Sequence, residues 1–124
     1  MLAQHAPAEA KRILGVTDVD LAIPMLSFLF GQAQLDGQVA IVSLSRLRQE
    51  FYGLPADETV LRERAVKEVL HEMGHTFGLV HCSDSTCVMS LATHIGLVDS
   101  KSERYCSPCG VQLSERFASL VGGL

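Results

Sequence analysis

The stretch that decides the fold is "HEMGHTFGLVHC", residues 71–82, which holds three histidines, one glutamate and two glycines. Part of it closes a longer segment, residues 57–77, whose apolar residues recur at the spacing of an amphipathic helix. On a helix, residues four positions apart point the same way, one above the other. The sequence therefore predicts a helix over residues 57–77 that presents His71 and His75 side by side.

Apolar side chains occupy one arc of this predicted helix. The arc is formed by Leu61, Ala65, Val66, Val69, Leu70, Met73 and Phe77. His71 and His75 fall on the opposite side, with Glu72 near the border. The charge run "RERAVKE", residues 62–68, is typical of a solvated helix face. Because the histidines avoid the apolar arc, they are not expected to be core residues. A solvated polar stripe does not explain the glutamate between them or the glycine that follows.

Two histidines at this spacing with a glutamate beside them form the HExxH pattern of zinc enzymes, in which the glutamate is the general base. Here the pattern extends to HExxHxxGxxH. Gly78 is expected to end the helix with a positive φ, so that the chain turns back and His81 supplies a third nitrogen. Three protein ligands leave the fourth position of tetrahedral zinc open, which is typical of a catalytic site. The sequence thus predicts metal-assisted hydrolysis of a peptide bond, with Glu72 as general base.

The four cysteines all lie in the last third of the chain, at Cys82, Cys87, Cys106 and Cys109. Their C-x4-C and C-x2-C pairs are separated by eighteen residues and favour a structural zinc site. The alternatives are a thioredoxin-like redox pair at Cys106 and Cys109, or four buried free thiols. Since His81 and Cys82 are neighbours that serve different metals, the two sites are expected to lie close together without sharing a ligand.

The first part of the chain predicts strands. "ILGVTDVDL", residues 13–21, indicates a strand that runs into a polar turn. "MLSFLFGQAQL", residues 25–35, indicates an edge strand, and "GQVAIVSLSRL", residues 37–47, a strand buried on both faces. Residues 8–14 are expected to close a helix. Strands followed by a helix indicate an α+β domain with a mixed sheet.

Length and composition limit the function classes. With 124 residues, the chain is expected to form one domain over residues 1–124. Hydrophobic residues make up 48% and charged residues 19%, which excludes a disordered chain. A net charge of −4 argues against a nucleic acid or an anionic membrane as the main partner. We find no signal peptide and no apolar run long enough to cross a bilayer, so a cytoplasmic protein, a monomer by default, is expected.

These motifs resemble the archaemetzincin family within the metzincin clan of zinc metalloproteases. The clan motif is matched at His71, Glu72, His75, Gly78 and His81. The archaemetzincin features are a cysteine directly after the third histidine, then C-x4-C-x-M and a later C-x2-C. They are matched at Cys82, Cys87, Met89, Cys106 and Cys109. "GVTDVDL", "GQVAIVSLSRLR" and "EFYGLP" are also similar to that family, so the resemblance runs from about Gly15 to Gly110.

The resemblance implies a twisted mixed sheet packed on the active-site helix, with a small zinc-stabilised C-terminal subregion. It implies two Zn²⁺ per chain, a catalytic ion on the three histidines and a structural ion on the four cysteines. It places Met89 at the Met-turn, a thioether below the zinc ligands. A flexible core filler has almost the same physical role, so we treat Met89, like Gly78, as support for the site.

The resemblance also carries expectations about the N-terminus and the substrate. Archaemetzincins usually have a further strand and most of a helix before "RILGVTDVDL", where this chain has "MLAQHAPAEAK", so it is expected to lack the N-terminal strand. An exposed strand edge offers unpaired backbone groups to a peptide. Together with the clan resemblance, this predicts that a peptide or protein substrate binds extended along residues 27–34.

The leading interpretation is a zinc metallopeptidase of archaemetzincin type. One alternative is a zinc-stabilised peptide-binding module with little or no turnover, which hydrolysis of short peptides distinguishes. Another is a DNA-associated repair protease. The acidic balance counts against that alternative, and salt-dependent DNA binding would be needed to support it.

Overall fold

A computed structural model describes residues 12–122 of the chain. Strands come first and helices follow, which is the α+β order that the sequence predicts. The strands are β1 (Ile13–Thr17), β2 (Leu21–Ile23), β3 (Leu26–Leu29), β4 (Gly31–Ala33) and β5 (Val39–Ser43). After a short 3-10 turn (Gln49–Tyr52), the helices are α1 (Glu58–Thr76), α2 (Ile95–Ser100) and α3 (Ser107–Gly122). Within residues 12–122, no helix is long and apolar enough to cross a membrane.

The strands β1, β5 and β4 form a mixed sheet in that order. β1 pairs with β5 in parallel, and β4 pairs with β5 antiparallel. β2 and β3 form a separate antiparallel pair. The prediction of one edge strand over residues 25–35 is wrong at Phe30, where the chain leaves one pair and enters the other. Phe30 is only 5% exposed, because its ring enters the core instead of continuing the strand alternation.

The N-terminal end of the described chain is extended, not helical. Ile13 and Leu14 belong to β1, so the predicted helix end over residues 8–14 is wrong at these two positions. Residues 8–11 lie outside the described part of the chain. The parallel pairing of β1 with β5 places these residues in the sheet, and tertiary pairing overrides the local helix preference.

The central strand β5 carries the core face of the sheet. Ala40, Val42 and Ser43 are buried, whereas Val39 and Ile41 are half-buried. The prediction of burial on both faces therefore holds for one face and only partly for the other. The first core cluster is formed by Phe30, Val42, Leu47 and Val98. Helix α1 packs on β5 and β4, which brings the predicted active-site helix against the sheet.

Helix α1 has a defined signal at each end. The carboxylate of Asp57 accepts hydrogen bonds from the backbone N–H groups of Thr59 and Val60, at 3.0 and 3.2 Å. At the other end Gly78 adopts a φ of +92°, in the left-handed region that favours glycine. Its N–H donates to the carbonyl of His75 and closes the last turn. The predicted helix bounds and the role of Gly78 in ending the helix are confirmed.

The polar face of α1 is the face that the fold buries. Arg64 and Glu68 are 6% and 3% exposed, so the prediction of a solvated charge run over residues 62–68 is wrong at these two positions. Arg64 donates to both carboxylate oxygens of Asp99, each at 2.8 Å, and to the carbonyl of Leu47 at 2.9 Å. Partners far along the chain thus replace water around this face.

The segment after α1 builds a second, smaller core. Its buried members are Leu79, Cys87, Val88 and Met89. Three further cysteines, Tyr105 and Leu113 pack around them. The predicted small C-terminal subregion is therefore present, and it has a core centred on Met89 and the cysteines.

Leu47→Ala is expected to lower the free energy of unfolding by about 2–5 kcal/mol, because the side chain is fully buried in the first core cluster. Leu35→Ala makes the same substitution at a side chain that is 59% exposed. It should change the free energy of unfolding by about 0.5 kcal/mol or less. Urea denaturation of both variants checks this. Equal losses for the two would contradict the burial described here.

Candidate active site and metal centres

The side chains of His71 and His75 are held by backbone carbonyl groups. Nδ1 of His71 lies 2.8 Å from the carbonyl oxygen of Val88, and Nδ1 of His75 lies 2.7 Å from that of Leu79. A carbonyl oxygen only accepts, so both Nδ1 atoms carry the proton. In a neutral imidazole the Nε2 atom then presents its lone pair, and the two Nε2 atoms lie 3.2 Å apart. Two lone pairs that converge at this distance suit a metal cation between them.

His81 completes the cluster from beyond the turn at Gly78. Its ring centroid lies 5.3 Å from that of His71 and 4.9 Å from that of His75. One ligand atom from each histidine lies within 4.8 Å of the others. Zinc binds imidazole nitrogen at about 2.0–2.1 Å, which places two tetrahedral ligand nitrogens about 3.4 Å apart. The three histidines therefore fit a zinc ion.

The environment keeps the imidazoles of His71 and His81 in the form that binds metal. Burial, reinforced by the charge of Lys101, lowers the pKa of His71 to about 3. Burial also lowers the pKa of His81, and the neighbouring His75 adds to the effect. Neutral imidazole is the ligand form, so no proton has to be displaced from Nε2 at neutral pH.

Glu72 lines a cavity together with the three histidines and is 5% exposed. Burial, reinforced by the charge of the nearby Glu68, raises the pKa of its carboxyl group to about 8. The backbone of β4 passes so close that a Cβ at Gly31 would lie 2.9 Å from Cγ of Glu72 and 2.8 Å from the carbonyl oxygen of Ile41. Glycine is therefore required at position 31 for the edge strand and Glu72 to approach each other.

Met89 is fully buried below the histidine helix. A Cβ at Gly74 would lie 2.5 Å from its Sδ, so the thioether fills the space left by the glycine that precedes His75. The backbone N–H of Cys82 donates to the carbonyl of Met89 at 3.0 Å. Met89 thus packs against the histidine helix at Gly74, and its role as support for the site stays a prediction.

Lys101 is a residue of this site that sequence reasoning missed. Its side chain is 1% exposed, and Nζ donates to the carbonyl groups of Val88 and Ser90, each at 3.0 Å. These two residues flank Met89. Nζ also lies 3.8 Å from Oε1 of Glu68. A lone lysine in "DSKSER" has no spacing that would mark it as a site residue. Glu68 lies one helical turn before the HExxH pattern, so the helix period could have placed it on the same face as the histidines.

The four cysteines converge in the second core. One ligand atom from each lies within 4.8 Å of the others, and the sulfurs of Cys82 and Cys106 are 3.7 Å apart. Zinc binds thiolate at about 2.3 Å, which places two tetrahedral sulfurs about 3.8 Å apart. The sulfur of Cys87 accepts backbone N–H groups from Met89 and Cys106, at 3.4 and 3.3 Å. The cluster therefore fits one zinc ion.

Three observations favour this site over the alternatives. The cysteines form one group of four, not a separate pair at Cys106 and Cys109. Burial, together with hydrogen bonds from the other thiols, raises the pKa of Cys109 well above its usual range, so this thiol does not ionise readily without a cation. The histidine and cysteine groups share no residue although His81 and Cys82 are neighbours, as the sequence predicts.

A cavity of about 350 Å³ opens beside the histidines. It is bounded by residues 28–33, by the polar face of α1 and by residues 91–93. Within the described sheet, β4 is an edge strand, and it forms one wall. The cavity thus brings a buried carboxylate, a metal-binding cluster and a strand edge together, which suits the hydrolysis of an extended chain.

The fold and the histidine helix are those of a metzincin-like α+β protein. Residues 10–115 match the model of peptidase family M54. The chain belongs to this family, the archaemetzincins, and the resemblance predicted from its motifs is confirmed.

Curated relatives support this assignment. The chain is 47% identical over 116 residues to the archaemetzincin of Methanocaldococcus jannaschii, covering 94% of this chain and 65% of that protein. It is 50% identical over 100 residues to the archaemetzincin of Pyrococcus abyssi, covering 81% and 53%. The chain therefore spans between half and two thirds of the length of these two relatives.

Solved structures agree with the fold. The crystal structure of archaemetzincin from Methanopyrus kandleri matches with a TM-score of 0.83 and 43% identity, over 92% of this chain and 60% of that one. A zinc-dependent peptidase from Methanocorpusculum labreanum matches with a TM-score of 0.80 and 46% identity, over 82% and 53%. The predicted metzincin-like architecture is confirmed.

Lys101→Met is expected to lower the free energy of unfolding by about 3–5 kcal/mol, because it leaves Glu68 and two carbonyl groups buried without their partner. Lys67→Met is a matched control. Lys67 also donates to two carbonyl groups, at 3.1 and 3.2 Å, but its side chain is half-buried. Because water can replace it, the free energy of unfolding is expected to fall by only about 1 kcal/mol. Chemical denaturation compares the two variants. Equal losses of stability would show that the buried contacts of Lys101 do not stabilise the fold more than the half-buried contacts of Lys67.

Proposed function

We propose that this chain is a zinc-dependent metallopeptidase that hydrolyses peptide bonds, with the catalytic zinc on His71, His75 and His81. The observation that carries the proposal is the pair of Nε2 atoms 3.2 Å apart, beside a buried glutamate. Membership of a peptidase family and the name of the zinc-dependent peptidase from Methanocorpusculum labreanum support it.

Zinc supplies a Lewis acid that polarises the scissile carbonyl and lowers the pKa of water toward neutrality. Glu72 is the general base and acid. It takes a proton from the attacking water and delivers it to the nitrogen of the leaving amine. A dication on the histidines would favour the ionised carboxylate of Glu72 and so counteract the burial that raises its pKa.

A second, structural zinc is bound by Cys82, Cys87, Cys106 and Cys109. The 3.7 Å separation of two sulfurs and the N–H groups that point at Cys87 support this. The segment that these cysteines hold has little regular secondary structure and only a small core. The loss of chain entropy therefore opposes its folding. Structural zinc is worth on the order of 10 kcal/mol near neutral pH, which offsets that cost.

The substrate is a peptide or protein bound extended along β4. The strand pairs with β5 on one side and is the edge of the described sheet on the other. Residues 28–33 also line the cavity that contains Glu72. Main-chain pairing to this edge places the scissile bond beside the histidines. A complex in which a peptide inhibitor makes no main-chain pairing to residues 27–34 would contradict this placement.

Turnover of a peptide library by the zinc-loaded protein tests the proposal. Cleavage that is lost on chelation and restored by zinc supports a metallopeptidase. Binding of peptides without cleavage would instead support the alternative, a zinc-stabilised peptide-binding module. One domain over residues 1–124, a cytoplasmic location, a monomer by default, and the lack of nucleic-acid and membrane partners remain predictions from the sequence.

Glu72→Gln is expected to keep the zinc of the histidine cluster and to lower kcat by at least about 10²–10⁴-fold, because the variant keeps the shape of the side chain and loses the proton acceptor. Metal content and single-turnover rates measure the two effects separately. Glu63→Gln, an exposed glutamate on the same helix, is the control and should keep its rate. Loss of zinc, or an unchanged rate, in Glu72→Gln would show that Glu72 is not the general base.

Cys106→Ser is expected to reduce bound zinc from two per chain toward one or none and to lower the melting temperature, because the second core forms around the cysteines. His71→Ala should remove one zinc and leave the fold largely intact. Metal analysis and thermal denaturation of both variants check this. Four titratable thiols in the zinc-saturated native protein would overturn the structural site.

A further inference from the structure

The cavity contains a second buried carboxylate, one helical turn before Glu72. Glu68 is 3% exposed and yet lines the cavity. Its Oε1 atom is enclosed and has no hydrogen-bond partner among the described residues. The ammonium of Lys101 lies 3.8 Å away, beyond hydrogen-bond distance. A buried carboxylate left in this state is costly, and a ligand that brings a donor to it removes the cost.

Lys101 pairs with this carboxylate only by charge, because two of its three ammonium N–H groups are donated to backbone carbonyl groups. Nζ donates to the carbonyl groups of Val88 and Ser90, each at 3.0 Å, and so holds the turn around Met89. It leaves a loose ion pair with Glu68. The titratable side chains that line the cavity besides the histidines are Glu68, Glu72 and Lys101. Two of these three groups are carboxyl groups and one is an ammonium group.

Many of the side chains that line the cavity are apolar. The cavity is lined by Leu26, Phe28, Leu29, Phe30, Leu91 and Ala92. Apolar walls with a buried carboxylate among them match a side chain that has a long aliphatic stem and a cationic head. An apolar side chain of the same length leaves Oε1 without a donor, and an acidic one meets two carboxylates.

We propose that Glu68 is a specificity-determining residue, and that the cavity takes the lysine or arginine side chain of a peptide substrate at a position flanking the scissile bond. The cationic head of that side chain binds the carboxylate of Glu68, and its stem lies between the phenylalanine and leucine side chains. This inference rests on the proposed function, since it assigns the substrate class of the same site.

Peptides that differ only at the residues flanking the scissile bond test the proposal with the zinc-loaded protein. Lysine or arginine is expected to raise kcat/KM by about 10–100-fold over norleucine, which has the same stem without the charge, and glutamate is expected to be disfavoured. Glu68→Gln should remove most of this preference, while Glu63→Gln, the exposed control on the same helix, should keep it. A library that prefers norleucine or glutamate, or a preference unchanged in Glu68→Gln, would overturn the proposal.

Binding separates this inference from the proposed function. Calorimetry of the zinc-loaded Glu72→Gln protein with the lysine and norleucine peptides needs no turnover. A preference for lysine that disappears on adding Glu68→Gln supports the inference even if the wild-type chain cleaves nothing, and that result would overturn the proposed function alone. Equal affinity for the two peptides would overturn the inference. If Glu68→Gln does not fold, the comparison of lysine with norleucine in the unaltered chain decides.

Discussion

The carbonyl oxygen of Val88 accepts two hydrogen bonds on which the rest of the site depends. One comes from Nδ1 of His71 at 2.8 Å and sets the tautomer and direction of that imidazole. The other comes from Nζ of Lys101 at 3.0 Å and ties the same turn to the segment that follows α2. The N–H of Val88 donates to Arg104 next to the cysteines. The backbone of one residue, Val88, thus joins the histidine helix, the methionine turn and the cysteine cluster.

The sequence predicts α1 and the donor groups well because their signals are local. Asp57 caps the first turn and Gly78 ends the last one, and both roles depend only on neighbouring backbone groups. The spacing of His71 and His75 converts directly into a shared direction on the helix. The four cysteines are grouped correctly through their spacing and the family resemblance, although chain spacing alone leaves a redox pair open.

Sequence reasoning fails where burial depends on a partner far along the chain. Hydrophobic periodicity assigns charged residues to the solvent. Arg64 and Glu68 are buried because Asp99 and Lys101, more than thirty residues later, reach back to the same helix face. The division of residues 25–35 at Phe30 has a similar cause. The ring of Phe30 packs in a core that includes Val98. The two residues are far apart in the sequence, so no local pattern predicts this contact.

The adjacency of His81 and Cys82 has an evolutionary consequence. A single peptide bond separates a donor of one metal group from a donor of the other. An insertion or deletion at this junction displaces one of the two donors whichever way the chain relaxes. The histidine and cysteine groups therefore cannot evolve independently of each other. The length of this junction is constrained more tightly than the length of the loop between Met89 and α2.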